Sequence, residues 1–160
     1  MLPNVASFDL LNENQTEAMG RCFARCLPQT FIACFKGQLG VGKTTLIRAI
    51  IREFDVIGPI KSPTFSVVES YQTSHLIHHF DLYRLSDIQE LEMMGFRDYF
   101  SSDAICLIEW PERATSLLSH YDMMIELLSE GVSRRQLKLF ANTAIGQQAL
   151  TSLSRAYGQG

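Results

Sequence analysis

The sequence predicts an α/β fold of three layers, in which helices cover both faces of a mostly parallel central sheet and an antiparallel hairpin is added toward the C-terminus. Three observations carry this expectation. Apolar runs of strand length alternate with segments of helical period. The run 104–108 (AICLI) has no polar position, as suits a strand covered on both faces. Two strand-like runs separated by Glu130 and Gly131 read as antiparallel neighbours. At 160 residues the chain has the size of one domain, 1–160, with a single self-sustaining core.

In chain order, Met19, Cys22, Phe23, Cys26 and Leu27 recur at helical spacing, giving a helix over 13–27 that Pro28 closes. Residues 30–35 (TFIACF) form a short apolar strand. A glycine loop at 37–42 follows, then a helix over 43–54 with Leu46, Ile47, Ile50 and Ile51 on one face. Gly58-Pro59 and Ser62-Pro63 mark a loop, after which 65–71 and 75–80 read as strands. A short helix at 86–94 ends at Gly95. The 104–108 run belongs at the sheet centre, a helical turn or two follows at 111–118, the hairpin strands fall at 121–128 and 136–140, and a last helix covers 143–157.

Composition narrows the function classes. Lys and Arg number 14 against 17 Asp and Glu, a net charge of −3, which argues against a protein that grips a phosphate backbone unaided. The charge is uneven: 81–112 holds eight acids and two arginines, so that segment carries −6 and the remainder is slightly positive. Acids on the 86–94 helix are open to two readings, a protein-docking face or a solvated surface. Cys22, Cys26, Cys34 and Cys106 form no C-x-x-C pair and read as small core side chains. No stretch approaches the ~20 apolar residues of a membrane span, and Met1-Leu2-Pro3-Asn4 lacks a basic leader, so the expected location is the cytoplasm.

Residues 37–44 (GQLGVGKT) fit G-x-x-x-x-G-K-[ST] at every specified position, between an expected strand and an expected helix. Glycines let the backbone approach closely, so that N–H groups converge on a phosphate while the helix N-terminus adds about half a positive charge. Lys43 is expected to reach the β- and γ-phosphates and Thr44 to place its hydroxyl on Mg²⁺. The expected fold is therefore a three-layer P-loop NTPase. Glu109, ending AICLI, and Asp81, ending HLIHHF, compete as the acidic partner of the metal. The unbroken apolarity of its strand favours Glu109, and Asp81 is left to the γ-phosphate, the attacking water or a turn cap. Ser62-Pro63-Thr64 reads either as a plain turn or as a loop offering a hydroxyl. His78 and His79 are adjacent in a strand and point to opposite faces, which argues against joint metal ligation.

The motifs GQLGVGKTT, KSPTF, HFDLYRL, ELEMMGFRDYF and ICLIEWPE, in this order, make the chain resemble the bacterial TsaE (YjeE) family. The resemblance implies a small P-loop ATPase using ATP and Mg²⁺. It also implies work with TsaB and TsaD in threonylcarbamoylating the adenosine next to the anticodon of tRNAs that read codons starting with A. In that picture the ATPase resets or activates the complex and transfers no carbamoyl group. It assigns the phosphates to 37–45, which includes Gly37, Gly40, Val41, Gly42, Lys43, Thr44 and Thr45, and Mg²⁺ to Thr44 and Glu109. Thr64 and Asp81 take switch-like roles at the γ-phosphate, Glu13, Thr16 and Arg134 border the adenine, and Trp110 is the aromatic beside the metal acid. The family loop usually reads GDLGAGKT, so Gln38 and Val41 depart from it. A small-molecule kinase would need an arginine-bearing lid, which is not evident, and a GTPase-type switch would need the guanine-reading N-K-x-D, which is absent.

Overall fold

A computed structural model describes residues 4–63, 66–100 and 103–158. In chain order these form strand β1 (Val5–Leu10), helix α1 (Glu13–Arg25), β2 (Phe31–Lys36), α2 (Lys43–Glu53), β3 (Val68–Gln72), β4 (Leu76–Asp81), α3 (Ile88–Met93), β5 (Ile105–Glu109), β6 (Met123–Ser129), β7 (Arg135–Ala141) and α4 (Ala144–Gly158). Two 3-10 segments, Phe96–Phe100 and Pro111–Ala114, complete the set. The strands make one sheet in the order β1-β7-β6-β2-β5-β4-β3. Its centre is parallel, with β2 between β5 and β6 and with β4 parallel to β5. The β6–β7 hairpin is antiparallel, as are the outer pairs β1–β7 and β3–β4. The expected α/β architecture is thus present, and β5 lies beside β2 with all five of its residues buried.

Strand alternation divides the core between two faces. Phe31, Ala33 and Phe35 of β2 and Ile105 and Leu107 of β5 pack with α1, α2 and α4. Cys34, Cys106 and Ile108 point the other way, toward Leu91 of α3, Phe96 and Ala114. Burial raises the thiols of Cys34 and Cys106 to about 12, as befits packing groups.

Two local devices bring α1 to the loop after β2. Asn12 caps the helix by accepting from the Gln15 N–H at 2.9 Å, while the Gln15 side chain accepts from the Leu11 N–H at 2.8 Å. At Gly20 the helices touch: a Cβ there would lie 2.7 Å from the Ala49 Cβ and 2.8 Å from the Leu46 carbonyl oxygen. Only glycine allows α1 to lie this close to α2, and the approach sets Glu13 and Thr16 beside the start of α2.

Three elements differ from expectation. β1 is unanticipated, because its burial simply alternates and only Ala6, Phe8 and Leu10 turn inward, toward the core. The helical turn or two expected over 111–118 narrows to a single 3-10 turn, Pro111–Ala114. The strand expected over 65–71 starts at Val68, and Phe65 lies outside the described residues.

Candidate active site

The site lies at the C-terminal ends of the parallel strands β2, β5 and β4. β2 runs into the glycine loop, whose turns need Gly40 at φ 80° and Gly42 at φ 112°. A side chain on Gly37 would place its Cβ 2.8 Å from Val41 Cγ1 and 2.9 Å from the Leu127 carbonyl oxygen. Gly42 is the N-cap of α2 and offers no side-chain cap, so the first N–H groups of that helix stay available to an anion. Lys43 is 5% exposed; its ammonium donates to the Gly37 carbonyl and sits 3.9 Å from the centroid of the Trp110 ring. Burial lowers its pKa from the ordinary value, and the carboxylates of Glu109, Glu112 and Asp81 oppose that shift. Thr44 Oγ1 lies 3.4 Å from Ser62 Oγ, which places the Ser62-Pro63 loop against the start of α2. Thr64 lies outside the described residues.

Asp81 and Glu109 are direct partners across β4 and β5. The two acids weighed as rivals in the sequence therefore stand side by side. Glu109 is buried and its Oε2 accepts from His79 Nε2 at 2.8 Å. Asp81 is only partly buried, and its Oδ1 accepts from the Tyr83 N–H at 3.1 Å. Burial first, and then Glu109, raise the Asp81 carboxyl above its usual range; the Tyr83 N–H, His79 and Lys43 pull it back. Trp110 follows Glu109 with φ 58° and ψ 51°, an uncommon backbone for a bulky residue, and it packs on Tyr83 at 4.9 Å between centroids. His78 points away from this cluster: its Nδ1 is 2.7 Å from Ser70 Oγ and its ring meets Tyr99 edge-on.

A cavity of about 280 Å³ borders the loop on its other side, lined by Glu13, Thr16, Gly42, Thr45, Val132 and Arg135 among others. Glu13 and Thr16, far away in sequence, thus meet the loop. Arg134 is exposed at the hairpin turn, whereas its neighbour Arg135 faces the cavity and donates Nε–H to the Val41 carbonyl at 2.6 Å. Sequence reasoning passed over both Arg135 and the His79–Glu109 pair. Parity held a signal for Arg135, which shares its strand face with the buried Leu137 and Leu139.

The residues present fit a nucleotide with Mg²⁺. An uncapped helix N-terminus and a loop too tight at Gly37 for a side chain suit a phosphate. A hydroxyl and two carboxyl groups supply hard oxygen donors. Among the described residues no group of three or more His, Cys, Asp or Glu could hold a metal ion. Mg²⁺ is usually bound by one or two carboxylates together with phosphate oxygens and water.

Residues 10–137 match the family model described as threonylcarbamoyl adenosine biosynthesis protein TsaE. The chain belongs to the TsaE family. A TsaE protein of Haemophilus influenzae is 39% identical over 141 residues, covering 84% of this chain and 89% of its own length. One from Rickettsia felis is 34% identical, with 84% and 80% covered. Both carry the name tRNA threonylcarbamoyladenosine biosynthesis protein TsaE. Among solved structures, that of Bacillus subtilis YdiB superposes with a TM-score of 0.84 at 20% identity, covering 98% of this chain and 99% of that one, a likeness of fold. The TsaE match takes in the glycine loop, the Asp81–Glu109 pair and the hairpin turn, and it ends before α4. No helix among the described residues is long and apolar enough to cross a membrane.

Proposed function

We propose that this chain is the ATP-binding and ATP-hydrolysing subunit of tRNA threonylcarbamoyladenosine biosynthesis, a single P-loop ATPase domain over 1–160 that acts in the cytoplasm with TsaB and TsaD. The modified adenosine is the one beside the anticodon in tRNAs that read codons starting with A. The observation that carries the reading is the convergence of an uncapped α2 N-terminus, Lys43 and the Asp81–Glu109 pair at one end of the sheet of a TsaE-family chain.

In this reading the N–H groups of 37–45 and the Lys43 ammonium bind the phosphates. Thr44 and Glu109 would hold Mg²⁺, which when bound offsets the charge of the phosphate oxygens as a Lewis acid. Asp81, partly exposed and with its carboxyl raised by burial and by Glu109, orients the attacking water. Thr64 adds a hydroxyl at the γ-phosphate. Glu13, Thr16 and the turn bearing Arg134 border the base, and Trp110 flanks Lys43. Nothing in this arrangement forms a carbamoyl bond; the chain supplies nucleotide-driven turnover to partners that do. Intrinsic hydrolysis is therefore slow until a partner closes the site against bulk water.

Reconstitution tests the reading. tRNA modification over several turnovers with TsaB and TsaD is expected to need this subunit and to stop with Lys43→Ala, while ATP hydrolysis by that variant falls by at least about 100-fold. Unchanged modification in its absence would refute the assignment.

A further inference from the structure

His79 is the least easily explained side chain in the core. It is 2% exposed, its Nε2 is 2.8 Å from Glu109 Oε2, and its Nδ1 is a buried polar atom with no hydrogen-bond partner among the described residues. A bare ring nitrogen away from water carries a desolvation cost that nothing repays. An aliphatic side chain of similar size would avoid that cost, so packing alone gives no reason for an imidazole. The reason lies on its other nitrogen. A carboxylate oxygen only accepts, so Nε2 carries the proton and donates it. His79 pairs with Leu107, two residues before the Asp81–Glu109 pair and on the same strand face, and so supports the Glu109 carboxylate from the sheet side. Among the described residues no hydrogen bond engages Glu109 Oε1.

We propose that His79 is the positioning residue of the metal-binding carboxylate: its Nε2–H holds Oε2, fixes the Glu109 rotamer and leaves Oε1 as the ligand oxygen. The inference rests on the reading of Glu109 as the Mg²⁺ acid. Metal sites commonly orient their ligands through such an outer partner, whose loss lowers metal affinity about 10–100-fold. Here the usual roles are exchanged, with the carboxylate as ligand and the imidazole behind it.

The test separates metal binding from nucleotide binding and from folding. Free Mn²⁺ is followed by electron paramagnetic resonance as it is titrated onto the full-length protein with ADP. ADP affinity in EDTA and the thermal midpoint are measured in parallel. His79→Leu is expected to keep its midpoint and its metal-free ADP affinity but to bind Mn²⁺ at least about tenfold more weakly. His79→Gln, whose amide nitrogen can stand in for Nε2, is expected to restore most of that loss. Should His79→Leu fail to fold, His79→Asn, too short to reach Oε2, is held to the same criteria. Wild-type Mn²⁺ affinity in the donor-less variant, or equal losses with Leu and Gln, would overturn the positioning role while Glu109→Gln still loses metal. If Glu109→Gln itself binds Mn²⁺ normally, the metal-acid reading falls first.

Discussion

Asp81 and Glu109 carry the same functional group on adjacent strands, and their neighbours divide the work between them. Glu109 is enclosed and held by His79; Asp81 stays partly exposed and accepts from a local N–H, that of Tyr83. Asp81→Asn is accordingly expected to lower turnover at saturating Mg²⁺ by about 100-fold or more while the Mg²⁺ concentration for half-maximal rate stays within a few-fold. Glu109→Gln should displace that concentration upward, and a steady-state Mg²⁺ titration of both variants checks the split. The other histidine of the pair has a purely structural consequence. Burial holds the His78 imidazole below its ordinary value of 6.5, so the unfolded chain takes up this proton more readily than the folded one. The stability tied to the neutral ring is whole above about pH 7 and is lost as pH falls through 6.5 toward the lower folded value. Relative to His78→Gln, which does not titrate, the wild type should lose urea stability from pH 7.5 to 5.5; parallel curves would remove the effect.

The hairpin shows how an element decides which of two identical neighbours meets the glycine loop. Strand alternation in β7 puts position 135 on the side of Leu137 and Leu139, and the Arg135 guanidinium ties the β6–β7 turn to the glycine loop through the carbonyls of Val41, Gly131 and Val132. Arg135→Ala is expected to weaken nucleotide binding about tenfold, corresponding to the loss of a charged hydrogen bond, about 1.5 kcal/mol. Arg134→Ala should stay within about twofold, as measured by calorimetric titration of ADP. The resemblance pointed to the neighbourhood of Arg134, a segment whose loop character hides the strand's parity. Motifs of fixed spacing were legible because the backbone geometry they serve is local: Gly42 and Lys43 need only the turn between β2 and α2. β1 escaped notice because half of a six-residue edge strand faces solvent, and its partner β7 lies more than 120 residues away. The His79–Glu109 bond was hidden for a related reason, since it depends on the register of β4 against β5, which no single strand encodes.

For the molecule as a whole, the parallel centre could be read in advance because AICLI is apolar without interruption, and the hairpin because Glu130 and Gly131 separate two strand-like runs. The acidic stretch 81–112 now has a place in that plan: it begins at Asp81, passes through α3 and the Phe96–Phe100 segment on one face, and returns through β5 to Glu109. The two faces of the sheet are unequal. Among the described residues, the buried cluster under α1, α2 and α4 is much the larger, and the one under α3 and the 3-10 segments is built from Cys34, Phe80, Leu82, Leu85, Leu91, Phe96, Cys106, Ile108 and Ala114. Regions with fewer buried apolar groups open at lower free energy than the rest of a fold. Hydrogen exchange should therefore release the amides of α3 and Phe96–Phe100 well before those of β2 and β5, and uniform protection across both sets would contradict it. The segment that joins β4 to β5 through α3 and Phe96–Phe100 is bounded by the two acids of the site, Asp81 and Glu109, while the glycine loop follows β2, whose Phe31, Ala33 and Phe35 lie in the larger core.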